Sequence, residues 1–389
     1  MEDKNIWKLY AVRFFYNLIP AYVIERLFWE QRGMTIQMVV YVEIVFAITV
    51  VLLEVPTGII ADKWGRKKMI VLGALLECLM FLILVFATEF WHFTVAILLS
   101  GIAASSTSGS ENALLYDSLL KIGKEQQFER YLGRLNVFDF IAAVIAALCG
   151  SFFAGLYGFE LNYWISFVSM MVCIFFSFTL IEPNVITKSD ESMEIKVYIR
   201  ASVDFFRKNP GVSIVVSAGM ITGAAVSFMD EFWQLYLNRL EIPVVYFGVY
   251  SALIMILRLP GNILAYVIKS RFRCRAVLSY VIAVFAAGFL YVSMTKGYTG
   301  LVAICLICLF SGIIEPIITG YLHHRINTSM RATIDSFLSL GLNLTVITTG
   351  LGFGYFSSIY DVFGGYSFVA LICGAFLVYF LIVSKEIME

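Results

Sequence analysis

Glu25 and Arg26, Glu43, Glu77, Glu111, Asp139, Asp230 and Glu231, Arg258 and Glu315 interrupt stretches that are otherwise apolar and long enough to cross a lipid bilayer. A charge at mid-bilayer costs ~2.5–3.5 kcal/mol on insertion scales, so each such residue is a functional hypothesis by default. A desolvated carboxyl switches readily between neutral and charged forms, which is the chemistry of proton binding and release. Glu43 and Glu315 stand well inside their runs and are the leading proton-coupling candidates. Arg258 offers Glu315 an ion-pair partner, and Glu315-Pro316 marks a helix kink, because proline removes a backbone donor. Glu111 and Asp139 stand toward one membrane edge, where helix-end pairing (with Arg134, for instance), gating and proton carriage are all open. Glu25, Arg26, Asp230 and Glu231 lie toward the opposite edge, within snorkelling reach of water. Glu77 is central in its run, with no role beyond a polar contact.

Aromatic residues accompany these charges: Tyr16, Tyr22, Phe28 and Trp29 in the first run, Phe228, Phe232, Trp233 and Tyr236 in the seventh. Beside acids in a cavity they would suit amphipathic or cationic molecules through cation–π contacts. The alternative, favoured for Trp29 and Trp233, is an aromatic belt at the membrane interface. Asn17, Pro20 and Asn343 are expected polar contacts near mid-membrane. No metal site or cofactor is expected. Cys305 and Cys308 have redox or zinc spacing but no histidine partner in their apolar run, so packing is the reading, free cysteine behaving as a small hydrophobe. A nucleotide-binding P-loop is absent from the sequence, which argues against a primary pump, and nothing suggests an enzyme or a nucleic-acid partner.

The elements that must position these groups are membrane helices. Of 389 residues 60% are hydrophobic and 14% charged, against roughly 45–50% and 25% in soluble domains, and mean hydropathy is +0.85. Apolar runs fall at roughly 8–29, 36–60, 68–88, 92–115, 135–157 and 162–182, then at 210–237, 245–268, 275–295, 299–322, 332–357 and 364–384. These runs lack the alternation of barrel strands, so the expectation is a twelve-helix all-α membrane protein. Lys and Arg cluster in alternate connections, such as Lys63, Arg66, Lys67 and Lys68, or Lys269, Arg271, Arg273 and Arg275. The other side keeps little more than Arg32, Arg239 and Lys296. Basic residues are retained in the cytoplasm, so both termini are expected there, and the first run reads as a retained span.

The longest polar stretch divides the chain into a bundle at 1–182, a cytoplasmic linker at 183–209 and a bundle at 210–389. Ile195, Ile199, Val203 and Phe206 recur at helical spacing in the linker, which suits an amphipathic helix on the leaflet. The halves echo each other: Leu53-Glu54-Val55-Pro56-Thr57-Gly58 parallels Leu257-Arg258-Leu259-Pro260-Gly261, and Phe28-Trp29 parallels Phe232-Trp233.

Between the second and third runs stands Gly58-Ile-Ile-Ala-Asp62-Lys63-Trp-Gly65-Arg66-Lys67-Lys68. It resembles the G-x-x-x-D-[RK]-x-G-R-[RK]-[RK] signature of the major facilitator superfamily at every defined position and in the same connection. The resemblance implies two pseudo-symmetric six-helix bundles, with spans one, four, seven and ten lining a central cavity and spans three, six, nine and twelve outside. It also implies a conformational latch formed by Gly58, Asp62, Lys63, Gly65, Arg66 and Lys67 against the start of span eleven, Met330 to Thr333. Gly65 permits the turn, and Asp62 can pair with Arg66 or Lys67. In the second-half loop Tyr266 stands where Asp62 would align. Two marks of the superfamily's drug–proton antiporters are missing, the span-four arginine and the span-five Gly-Pro pair, although Gly150, Gly155 and Gly158 could let spans five and eight pack closely. The expected function is alternating-access transport of a small amphipathic drug or metabolite, with proton-coupled export first, through a monomer in the cytoplasmic membrane. Nutrient uptake and a non-transporting receptor are the alternatives.

Overall fold

The computed structural model describes residues 4–183, 204–323 and 331–387, so most of the 183–209 linker lies outside the described residues. Among those residues the regular structure is helical: α1 (Lys4–Asn17), α2 (Glu25–Gln31), α3 (Ile36–Trp64), α4 (Arg66–Val85), α5 (Phe90–Thr107), α6 (Ser110–Lys121), α7 (Phe128–Tyr157) and α8 (Glu160–Thr179). There follow α9 (Pro210–Arg239), α10 (Phe247–Arg271), α11 (Cys274–Met294), α12 (Thr299–His323) and α13 (Arg331–Ile387). Ten segments are long and apolar enough to span a membrane, α5 and α6 together making one. The last is of double length, because α13 leaves helical geometry at Tyr360 and Asp361, where spans eleven and twelve meet. The first crossing is divided between α1 and α2, each too short alone. Together they make the twelve crossings.

That divided crossing has a physical solution. Backbone polar groups in lipid must find partners within the protein. Around the 3-10 turn Pro20–Val23, the side-chain amide of Asn162 donates to the carbonyls of Gly150 (2.8 Å) and Pro20 (3.3 Å), and Ser166 Oγ accepts from the Ala21 amide at 3.0 Å. Polar residues of α8 thus replace the bonds that the break removes. At the α3–α4 junction Gly65 adopts φ +109°, a conformation costly for any side chain with a Cβ.

Two compact units result. One comprises Met1–Lys188 with Ile242–Ala252, the other Ser189–Glu241 with Leu253–Glu389. In the first, the buried aromatic core joins Phe28, Trp29, Phe93 and Tyr163; Trp29 Nε1 donates to the Tyr163 hydroxyl at 3.0 Å. Gly248 lies in the same unit, where an added Cβ would stand 2.3 Å from the Ala147 carbonyl oxygen; one for Gly155 would meet Val245 at 2.4 Å. The expected close packing between spans five and eight thus occurs at these glycines. Gly150 instead packs on Pro20, and Gly158 ends α7.

In the second unit Phe228 and Phe232 stack on Phe353, which meets Tyr366 edge-on. Trp29 and Trp233 are 0% and 6% exposed, so the interfacial-belt expectation is corrected: both serve the cores. Large apolar side chains such as Leu52, Phe175 and Ile263 point outward, as lipid contact requires.

Candidate functional site

In the first unit three charged residues from three spans converge. Arg13 of α1 donates through Nη1 to Glu111 Oε2 of α6 at 2.6 Å, and through Nε to both carboxylate oxygens of Asp139 of α7 at 3.0 and 3.1 Å. Its Nη2 adds a third contact to Asp139. Asn17, one turn after Arg13, donates to Asp139 Oδ1 at 3.0 Å. Glu111 is 8% exposed. A polar cavity of ≈ 350 Å³ opens on this cluster, lined by Arg13, Tyr16, Asn17, Thr107, Glu111 and Asn112 among others. One guanidinium against two carboxylates leaves the group net negative, and protonating either acid changes how the arginine is held.

Sequence reasoning missed Arg13, and among the open roles of Glu111 and Asp139 it offered Arg134 as an example of a pairing partner. Arg134 is exposed and its guanidinium lies over Tyr131. The true partner stands 98 and 126 positions upstream, a separation that no local spacing encodes.

Toward the other end of span one, Arg26 is 3% exposed and donates to Glu43 Oε1 at 2.6 Å. Glu25 lies 4.0 Å from the same guanidinium, which also sits 4.5 Å over the Trp29 ring. Snorkelling of Arg26 to water is therefore corrected: it is buried and paired. Tyr22 is 47% exposed. Although span three is expected on the outside of its bundle, Glu77 has the polar contact expected of it: it is buried and accepts hydrogen bonds from Ser100 and Tyr16.

In the second unit Arg258 pairs with Asp230, not with the expected Glu315. Glu315 is exposed and lines a cavity of ≈ 460 Å³ with Arg258, Met220, Val226, Ile318 and Leu342. Glu231 is half-buried on α9, Phe228 is in the core, and Asn343 donates to the Ser339 carbonyl of its own helix at 2.9 Å. A single offset of 204 positions relates Phe28 to Phe232, Pro56 to Pro260, Glu111 to Glu315 and Asp139 to Asn343. At that offset Arg13 corresponds to Ser217, so the three-charge cluster belongs to the first unit alone.

In the motif loop Arg66 is bound to Asp117 of α6 and donates to the Ala113 carbonyl at 3.1 Å. The backbone amides of Arg66 and Lys67, the first of α4, donate to the Glu182 carboxylate at 2.9 and 2.7 Å. An acid there complements the positive end of the helix. Asp62 is 71% exposed at its side chain and only within 3.9 Å of Arg66; Gly58 and Lys63 are exposed as well. The partner expected at Met330 to Thr333 lies outside the residues whose side chains are described.

Twelve helical crossings, with ion pairs and charge-lined cavities in each unit, define a polytopic membrane protein built to move solutes. The Major Facilitator Superfamily family model matches residues 10–347, and the chain belongs to that superfamily of transporters; it is not an enzyme. It is 35% identical over 107 residues to the multidrug resistance protein MdtH of Photorhabdus laumondii subsp. laumondii, covering 28% of this chain and 25% of that one. Over 213 residues it is 24% identical to the uncharacterized transporter BU466 of Buchnera aphidicola, 51% of this chain and 53% of that one. The matches thus span about a quarter to half of these relatives' length. Among solved structures, a single-site mutant of the nucleoside transporter NupG superposes over 99% of this chain and 100% of its own with a TM-score of 0.82 at 16% identity. A D-xylose-proton symporter does so over 96% and 95% with a TM-score of 0.72 at 9% identity. At such identities the likeness is one of fold.

Proposed function

We propose that this protein is a proton-coupled exporter of a small amphipathic drug or metabolite, acting as a monomer by alternating access in the cytoplasmic membrane with both termini inside. The observation that carries this reading is the Arg13–Glu111–Asp139 cluster at the polar cavity. A proton and a cationic or hydrogen-bonding substrate would compete for the same two carboxylates, so that loading one favours release of the other, which is the logic of exchange. The name of MdtH, a multidrug resistance protein, agrees with export. Glu43, Asp230, Glu231, Arg258 and Glu315 are secondary sites in this scheme. Tyr16, Tyr22, Asn17, Glu25, Phe228 and Asn343 belong to the substrate-binding surfaces or their support. The motif from Gly58 to Lys67 is the latch: Arg66 is anchored on Asp117, and exposed Asp62 is left to engage a partner that changes with conformation.

The test is flux in proteoliposomes with an imposed pH gradient, using a panel of lipophilic cations and common nutrients. Export predicts gradient-driven movement of a lipophilic cation against protons. Movement of a nutrient with protons would establish uptake instead, and flux indifferent to the gradient would remove the coupling.

A further inference from the structure

Glu77 is the buried acid that this scheme does not use. It stands mid-way along α4 and is 4% exposed. Ser100 Oγ of α5 donates to its Oε1 at 2.8 Å and the Tyr16 hydroxyl of α1 donates to the same oxygen at 3.4 Å, while Oε2 is buried with no hydrogen-bond partner. The ionisable groups felt at this carboxyl are Tyr16, Glu25 of α2 and the Cys173 thiol of α8, and none is a cation. Among the described residues α3, α5 and α6 bring no charged group that bears on it, although Glu111 of α6 bears on Tyr16. A buried carboxylate requires a cation or a full set of donors, and without them the group takes up a proton instead. Tyr16, which touches Glu77 on one side, lines the polar cavity on the other.

We propose that Glu77 is a second proton-binding site, held as the neutral acid and connected through the Tyr16 hydroxyl to the cavity at Arg13 and Glu111. In the relay the carboxyl turns over so that its O–H, carried on Oε2 in the resting acid, faces Tyr16, and the phenol turns its own hydrogen to cavity water. The Glu77 O–H bond then breaks and its proton is accepted by Tyr16 Oη, while the phenol's original proton passes to that water. The phenol ends neutral, Glu77 ends as a carboxylate and the water as hydronium; the reverse sequence reloads the site. Its use in transport rests on the proton-coupled reading above, but its protonation does not.

Infrared difference spectroscopy on the full-length protein in lipid tests the site without any substrate. At neutral pH the wild type should show a protonated-carboxyl C=O band that disappears in Glu77→Gln and moves to higher frequency in Ser100→Ala, which removes a donor to the carbonyl oxygen. In D2O that band should shift as the proton exchanges, and Tyr16→Phe should slow the exchange. Absence of a band difference between wild type and Glu77→Gln, with Ser100→Ala also unshifted, would overturn the protonated site. Unchanged exchange in Tyr16→Phe would overturn the relay. If the band behaves as expected but wild-type flux ignores a pH gradient, the coupling reading fails and Glu77's part in it with it, while its protonation stands.

Discussion

The guanidinium of Arg13 lies 2.6 Å from the carboxylate of Glu111, joining the first span of the chain to the fourth, and the same side chain holds Asp139 in the fifth. Three spans of one unit therefore depend on a single cation.

Removing that cation should destabilise the protein more than removing either acid. Arg13→Gln leaves the buried Glu111 and the half-buried Asp139 without their cation, a loss expected at about 3 kcal/mol for a broken buried pair and softened by water in the cavity and by Asn17. Melting of the purified protein in detergent should show Arg13→Gln well below Glu111→Gln. The triple variant Arg13→Gln/Glu111→Gln/Asp139→Asn should regain part of the loss, since it leaves no charge stranded.

The two ion pairs between the first and second spans of each unit should differ in strength. Arg26 is 3% exposed at its side chain and Glu43 23%, whereas Arg258 and Asp230 are 29% and 40% exposed. Glu43→Gln removes the nearest carboxylate from a buried guanidinium, leaving Glu25 at 4.0 Å, and should cost about 3 kcal/mol, against about 1 kcal/mol or less for Asp230→Asn. Equal losses in a chemical-denaturation comparison would contradict this difference in burial.

The motif loop separates stability from conformational change. Glu182→Ala uncaps α4 and should cost about 1 kcal/mol. Asp117→Asn, which leaves Arg66 without its carboxylate, should lower both stability and flux. Asp62→Asn should leave melting unchanged and still reduce transport. Unaltered flux in Asp62→Asn would remove the latch.

Gly248 should tolerate no side chain. Its missing Cβ would stand 2.3 Å from the Ala147 carbonyl oxygen and equally close to Ser151 Oγ. Overpacking of this kind costs about 1–3 kcal/mol. Gly248→Val should lower expression and melting temperature, while Gly58→Ala, with open space at the same point, should not.

Much of this architecture was legible in the residues. The apolar runs gave the spans, because lipid permits little else, and the Gly65 motif fixed the loop between spans two and three and pointed to the superfamily. Three things were not legible. The break in span one was signalled only by Pro20; the donors that stabilise it, from Asn162 and Ser166, lie more than a hundred positions away. The pairing of Arg13 depends on which faces of α1, α6 and α7 meet, and a lone arginine in an apolar run does not show its partner. Trp29 and Trp233 stand near run ends, where a belt and a core look the same in sequence; only the Tyr163 hydrogen bond and the ring contacts distinguish them. The constant offset that aligns Glu111 with Glu315 was available in the sequence, but it does not show which of the two acids has an arginine beside it.

The most direct test is proton movement itself. Proteoliposomes holding the wild-type protein and a pH-sensitive dye in the lumen should show a lumenal pH change when a transported lipophilic cation is added with no imposed gradient, and the change should be lost in Glu111→Gln. Substrate movement with no accompanying pH change, or a pH change undiminished in Glu111→Gln, would contradict proton coupling at the Arg13 cluster.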